Sequence, residues 1–186
     1  MNRTRIIAAA VALILLMAAP VYGAASKIEN IQVKASLSAG AESITVKWKK
    51  VKAADGYQIY RAASKNGKFK KAATVKNAAA VKYVNKKLKA GKTYYFKVRA
   101  FQKAGKKTKY SKFSQVKSKA PLTKKAFAKK CIGKNVKVLI AAIGQPYYRD
   151  YEQSCFGPGE DGLLKYKGFK VYTYREKGKE TVQSVE

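Results

Sequence analysis

The stretch that most constrains this chain is Leu88 to Phe101, Leu-Lys-Ala-Gly-Lys-Thr-Tyr-Tyr-Phe-Lys-Val-Arg-Ala-Phe. From Tyr94 onward the side chains alternate, with Tyr94, Phe96, Val98 and Ala100 on one face and Tyr95, Lys97 and Arg99 on the other. Successive side chains of a strand point to opposite faces, so one side of this ribbon suits a core and the other suits water. Gly91 supplies a turn ahead of it. A tyrosine three residues after that glycine stands where sandwich domains place one whose hydroxyl bonds back to the preceding backbone corner.

The same period recurs through the first two thirds of the chain. Ile44, Val46 and Trp48 point one way while Thr45, Lys47 and Lys49 point the other, the pattern of a half-buried antiparallel strand. Trp48, the only tryptophan, is therefore read as core, with carbohydrate stacking as its functional alternative. Ala54-Asp55-Gly56 is a turn into Tyr57–Arg61, whose Tyr57 and Ile59 are expected to face Trp48. Asn66-Gly67 predicts a tight hairpin returning through Phe69–Val75. Ile28, Ile31 and Val33 open a first strand, Val81–Val84 is a short one, and Tyr110–Lys117 follows the turn at Ala104–Lys107. Seven short strands broken by turn signals predict a mainly β fold, an antiparallel sandwich with Trp48, Tyr57, Ile59, Tyr94, Phe96 and Val98 in its core.

Four segments together, Ile44-Thr-Val-Lys-Trp48, Ala54-Asp-Gly-Tyr-Gln-Ile-Tyr-Arg61, Leu88-Lys-Ala-Gly-Lys-Thr-Tyr94 and Tyr110-Ser-Lys-Phe-Ser114, resemble a bacterial fibronectin type III domain. The resemblance runs from Ile28 to about Ala120. One departure is Ala90, where the family often has proline before the glycine. The resemblance implies a non-catalytic spacer or adhesion module; the chain carries no Arg-Gly-Asp, so it does not imply integrin binding.

Beyond Pro121 the period changes. Phe127 with Cys131, and Val136 with Leu139, Ile140 and Ile143, fall at helical spacing, with Gly133 between two short helices and Gly144 ending the second. Gln145–Gly162 reads as a long loop, followed by three strands at Leu163–Tyr166, Phe169–Arg175 and Glu180–Val185. A small α+β domain of two helices and a three-stranded meander is expected. With Ile132-Gly-Lys134, Ala142-Ile-Gly-Gln-Pro146 and Gly168-Phe-Lys-Val-Tyr-Thr-Tyr174, it resembles small exported domains of the outer-membrane-assembly lipoprotein and β-lactamase-inhibitor-protein type. It is also similar to a C-terminal domain of uncharacterised secreted proteins of Gram-positive bacteria. These likenesses imply protein binding or scaffolding and carry no catalytic residues.

The N-terminus reads as an export signal: Arg3 and Arg5 precede an apolar run from Ile6 to Ala19, with small residues at Gly23, Ala24 and Ala25. The run is short for a permanent span, which needs about 20 apolar residues. An uncleaved anchor is the alternative to cleavage between Gly23 and Ser26. The expected organisation is a signal over 1–25, a sandwich over 26–121 and an α+β domain over 122–186, secreted or held at the envelope and without stable membrane insertion once the signal is removed. Export would place Cys131 and Cys155 where disulfides persist. A bridge between them would close 25 residues and be worth about 3 kcal/mol; two free thiols are the alternative.

Charge is the unusual property of the composition. Residues 26–121 hold 26 lysines and arginines against three acidic residues, and residues 122–186 hold 13 against seven. A domain so charged attracts polyanions at long range. The chain has no histidine, the usual general base and commonest metal ligand, and lacks nucleophile-elbow, phosphate-loop and dinucleotide motifs, so no enzyme, cofactor or catalytic residue is expected. Asp150, Glu152, Glu160 and Asp161 match no calcium-loop spacing and read as turn residues, so no metal is expected.

Tyr60, Tyr95, Lys97 and Arg99 could bind an anionic chain by charge and stacking, or simply form a solvated face. Tyr147, Tyr148 and Tyr151 could serve a protein interface or pack over the sheet. The expected partners are an anionic cell-wall polymer or glycan, or else a protein, with nucleic acid bound only non-specifically.

Overall fold

The computed structural model describes residues 27–186; the expected export signal and its cleavage region lie outside the described residues. Strands β1 (Ala35–Gly40), β2 (Ser43–Trp48) and β5 (Lys82–Asn85) form one antiparallel sheet in the order β1-β2-β5. Strands β3 (Gly56–Ala62), β4 (Lys70–Val75), β6 (Tyr94–Ala104) and β7 (Lys107–Tyr110) form the second in the order β4-β3-β6-β7, and β8 (Lys117–Lys119) also pairs with β6. Between the sheets lie Ile44, Val46, Ile59 and Val98, all at 0% exposure, with Phe96 and Tyr57. The Trp48 and Tyr57 rings meet at 5.0 Å. Tyr94 packs on this core, half-buried, and its hydroxyl accepts the Lys89 N–H at 3.1 Å, tying the corner at Gly91 to the strand that follows.

The strands differ from the sequence reading at three places. Ile28–Asn30 is a single 3-10 turn, and the first strand begins only at Ala35; Ile28 and Val33 are buried without belonging to a strand. Asn66-Gly67 does not close a two-residue hairpin. A seven-residue loop joins Ala62 to Lys70, no residue in it has positive φ, and Gly67 N–H bonds to Ser64 O at 3.2 Å. The last strand is split, so eight strands replace the expected seven. Ser111 and Ser114 interrupt it because their hydroxyls accept the Ala100 and Val98 N–H groups at 2.8 and 3.0 Å, doing with side chains what strand carbonyls do elsewhere.

Two short helices follow, α1 (Lys124–Lys129) and α2 (Val136–Ile143). The Thr123 hydroxyl caps α1 by accepting the Ala126 N–H at 3.1 Å, and the Asn135 carboxamide caps α2 by accepting the Lys137 N–H at 2.9 Å. Gly144, at φ +91°, ends α2. The helices cover a meander in the order β9-β10-β11-β12, made of β9 (Tyr148–Gln153), β10 (Glu160–Tyr166), β11 (Phe169–Glu176) and β12 (Lys179–Val185). Four strands stand where three were expected, because β9 lies inside the segment read as a loop. It is an edge strand exposed along most of its length, so it carries no alternating apolar signal. Leu139, Leu164, Val171 and Val182 form a second core at 0% exposure, and Ala41 from the β1–β2 turn packs into it.

The expected Cys131–Cys155 bridge is absent: both thiols are free, Cys131 buried and Cys155 exposed. The reason is position. Cys131 lies beside β12, whose Val182 carbonyl accepts the Gly133 N–H at 2.8 Å, while Cys155 is in the β9–β10 turn at the opposite edge of the sheet. Three strand spacings separate those edges, about 14 Å, well beyond the Cα separation a disulfide spans.

Tyr166 lies in the second core at 7% exposure, stacked on Phe169 at 5.0 Å, with its hydroxyl donating to Gly144 O at 3.2 Å. Burial pushes its phenol up to about 12. A phenol with a raised pKa supports the fold fully below its ordinary value near 10, and that support is lost as pH rises from there towards 12. Tyr166→Phe is therefore expected to be about 2 kcal/mol less sensitive to a shift from pH 9.5 to pH 12 than the parent chain. Denaturant midpoints of the two proteins read this, since lysine titration is common to both.

Candidate functional site

The outer face of the β4-β3-β6-β7 sheet gathers cations and aromatic rings. Alternation turns Gln58 and Tyr60 of β3 and Lys97 and Arg99 of β6 to the same side, and the register sets Gln58 against Arg99 and Tyr60 against Lys97. The serine interruption then carries Tyr110 and Phe113 over the two cations. The Arg99 guanidinium lies 3.9 Å from the Tyr110 ring centre and 5.0 Å from that of Phe113. Its Nε donates to Gln58 Oε1 at 2.9 Å and its Nη2 to the Tyr60 hydroxyl at 3.1 Å. The Lys97 ammonium sits 4.3 Å from the Phe113 ring centre and 4.5 Å from that of Phe69. Tyr60 meets Phe113 edge-on at 5.2 Å.

Ring faces rather than carboxylates hold these cations. Each such contact is worth about 0.5–2 kcal/mol, and it fixes the side chain without neutralising it. Arg99 has already spent two of its donor groups within the protein, whereas Lys97 presents a fixed ammonium with aromatic flanks. Next to Arg99 the same face opens into a cleft of about 490 Å³, whose lining includes Phe101, Tyr110, Lys76 and Lys103. Asp55 is the carboxylate there, and its Oδ2 accepts the Lys103 N–H at 2.6 Å. The arrangement offers cations beside flat aromatic faces, the chemistry that attracts negative charge and stacks on a planar group.

Of the residues singled out in the sequence, Tyr60, Lys97 and Arg99 are in mutual reach, and Tyr95 follows on the same strand face, half-buried. Phe69, Tyr110, Phe113 and Gln58 complete the cluster and were not among them. The motif Tyr110-Ser-Lys-Phe-Ser114 holds the missing signal, since hydroxyls bonded to the neighbouring strand at Ser111 and Ser114 force the aromatic residues outward.

The three tyrosines of the C-terminal part are not brought together. Tyr147 is 74% exposed. Tyr148 donates to Asp150 Oδ2 at 2.9 Å, with the Lys165 ammonium 4.3 Å from its ring centre, and the Asp150 carboxylate raises its phenol. Tyr151, an odd number of residues on, faces the other side of the sheet and donates to Glu180 Oε1 at 3.1 Å. Burial, then the Glu180 charge, raises its phenol. The Arg175 guanidinium lies over the Tyr151 ring at 3.9 Å and pairs with Glu160 at 2.6 Å, which holds the Glu160 carboxyl below its ordinary value.

Charge is little compensated on the sandwich. Among the described residues its one ion pair is Lys109–Glu29 at 3.6 Å. No group of three or more metal-ligating side chains is found among the described residues, nor any helix long and apolar enough to cross a membrane.

Two antiparallel sheets with a tyrosine corner define an immunoglobulin-like β-sandwich. Residues 26–117 match the fibronectin type III domain family, and this part of the chain is a fibronectin type III domain. The chain is similar in fold to the FN1–FN3 domains of chicken CNTN1, at 22% identity over 50% of this chain and 31% of that one, TM-score 0.43. It is also similar to a beta-1,2-glucanase from Parabacteroides distasonis, at 21% identity over 57% of this chain and 15% of that one, TM-score 0.47. A third likeness is the fn3 domain of human contactin 1, at 17% identity over 55% of this chain and 90% of that one, TM-score 0.40. The chain thus spans less than a third of the first two structures. No curated protein matches it. Fibronectin type III domains are commonly non-catalytic binding or adhesion modules and are often extracellular.

Proposed function

We propose that the protein is a secreted, non-enzymatic cell-surface or envelope module whose basic sandwich associates with anionic wall polymers. One observation carries this reading: residues 26–121 hold 26 basic and three acidic residues, and a single ion pair offsets them among the described residues. So many uncompensated cations attract a polyanion at long range, while the ring-held Lys97 and Arg99 give it a fixed surface on arrival.

A second reading makes the C-terminal layer, akin to the lipoprotein and inhibitor-type domains, a protein-binding unit with the sandwich as spacer. Phe156, 98% exposed, and Tyr147 favour it, because exposed aromatic residues are what interfaces bury. A chain ending at Thr123 separates the two readings and keeps the backbone pairing of Leu122 to Gly40 and Glu42. Sedimentation with isolated cell walls is expected to show attachment retained within about twofold of the full chain. Loss of attachment on this truncation would move the function to the C-terminal layer.

A further inference from the structure

Where the sandwich meets the helices the chain encloses a second cleft, of about 500 Å³, on the side of the molecule formed by β2 and β5. Its walls are tied by main chain. Leu88 N–H bonds to Glu42 O at 2.8 Å, Glu42 N–H to Leu122 O at 2.8 Å, and Leu122 N–H to Gly40 O at 2.9 Å. This short ladder holds the start of α1 against the sandwich, so Lys124 lines the same cleft as Lys86 and Lys87. Glu42 and Lys87 both take the left-handed region, at φ +45° and +56°, which side chains other than glycine adopt only at a cost.

The chemistry of the cleft is two-sided. Three ammonium groups share it with one carboxylate, that of Glu42, and none of the four takes part in an ion pair among the described residues. Phe127, Ile143 and Val84 supply apolar surface, and Val84 is left 38% exposed. Inorganic phosphate would answer the lysines and leave the apolar surface wet; an uncharged alkyl chain would do the reverse. The volume lies within the range of small-molecule sites, which favour domain junctions.

We propose that this cleft binds an amphiphile with a phosphate monoester head on an apolar body, the head at Lys86, Lys87 and Lys124 and the body over Phe127 and Ile143. The proposal does not depend on the wall-polymer reading, which concerns the net charge of the sandwich.

The test titrates the full chain with monomeric decyl phosphate, with inorganic phosphate and with decyl maltoside, following amide shifts and calorimetric affinity. Decyl phosphate is expected to bind at least tenfold more tightly than either of the others, with shifts confined to residues 84–87, 124–127 and 141–143. Lys86→Gln with Lys124→Gln, both exposed positions that leave the fold intact, is expected to weaken it at least tenfold, while Lys97→Gln leaves it unchanged. The proposal is overturned by equal affinity for decyl phosphate and either control, by shifts spread over the basic surface, or by indifference to the lysine substitutions. Retention of the same variants on a polyanion column separates failure here from failure of the polymer reading.

Discussion

Phe96→Ala is expected to unfold the sandwich at low ionic strength and to leave it largely folded at high salt. Phe96 is 1% exposed and packs in the core with Trp48, Tyr57 and Leu88. Truncating a buried phenylalanine costs about 3–5 kcal/mol, a large share of the 5–15 kcal/mol that holds a typical domain. This domain also carries the self-repulsion of 26 cations against three anions, which near 1 M salt is screened to about 3 Å. Salt should therefore raise the melting temperature of variant and parent alike, but only in the variant, whose margin is small, should it restore the folded population at room temperature. Trp48, the only tryptophan, lies in this core and reports the sandwich alone. Thermal melts followed by its fluorescence at low and high salt decide the matter. A variant equally unstable at both ionic strengths would show that repulsion contributes little.

Leu164→Ala is expected to cost about 2–5 kcal/mol, and to do so in the other core. Leu164 is fully buried among Val171, Leu139 and Val182, in the layer that also covers Cys131. The two free thiols report it. In the parent chain Cys155 is exposed and is expected to react fast, while Cys131 is buried, its thiol pushed up by that burial, and is expected to react slowly. In the variant both are expected to react fast, while Trp48 fluorescence changes little at temperatures where the sandwich persists. An unchanged slow phase would mean that Leu164 does not support the layer over Cys131.

Regions where side chains alternate could be read directly in the sequence. Ile44, Val46 and Trp48 face inward and Lys47 outward on β2, and Phe96 and Val98 face inward on β6 with Lys97 and Arg99 on the other face; the period of two is enough to place them. The same period set Tyr60, Lys97 and Arg99 on one face, although it could not show which rings would cover them. Phe69 and Phe113 reach Lys97 through a long loop and a broken strand, features that depend on Ser111 and Ser114 bonding across to β6. Strand β9 leaves no alternating apolar pattern because it is an edge strand exposed along most of its length, with Tyr151 alone half-buried. The cysteine pairing failed for a related cause. An even count and an export signal say nothing of the width of the sheet that separates Cys131 from Cys155. The cleft at Lys86, Lys87 and Lys124 depends on three segments far apart in the chain, and no local pattern announces it.

The central claim is that uncompensated charge on the sandwich carries attachment. Measuring the affinity of the full chain for a soluble polyphosphate across salt concentrations tests it most directly. Each phosphate neutralised releases bound counterions, so with six or more contacts the affinity should fall on the order of a thousandfold between 50 and 200 mM salt, along a straight line in log–log form. An affinity that stays flat over that range would place the attachment in contacts other than charge and contradict the account.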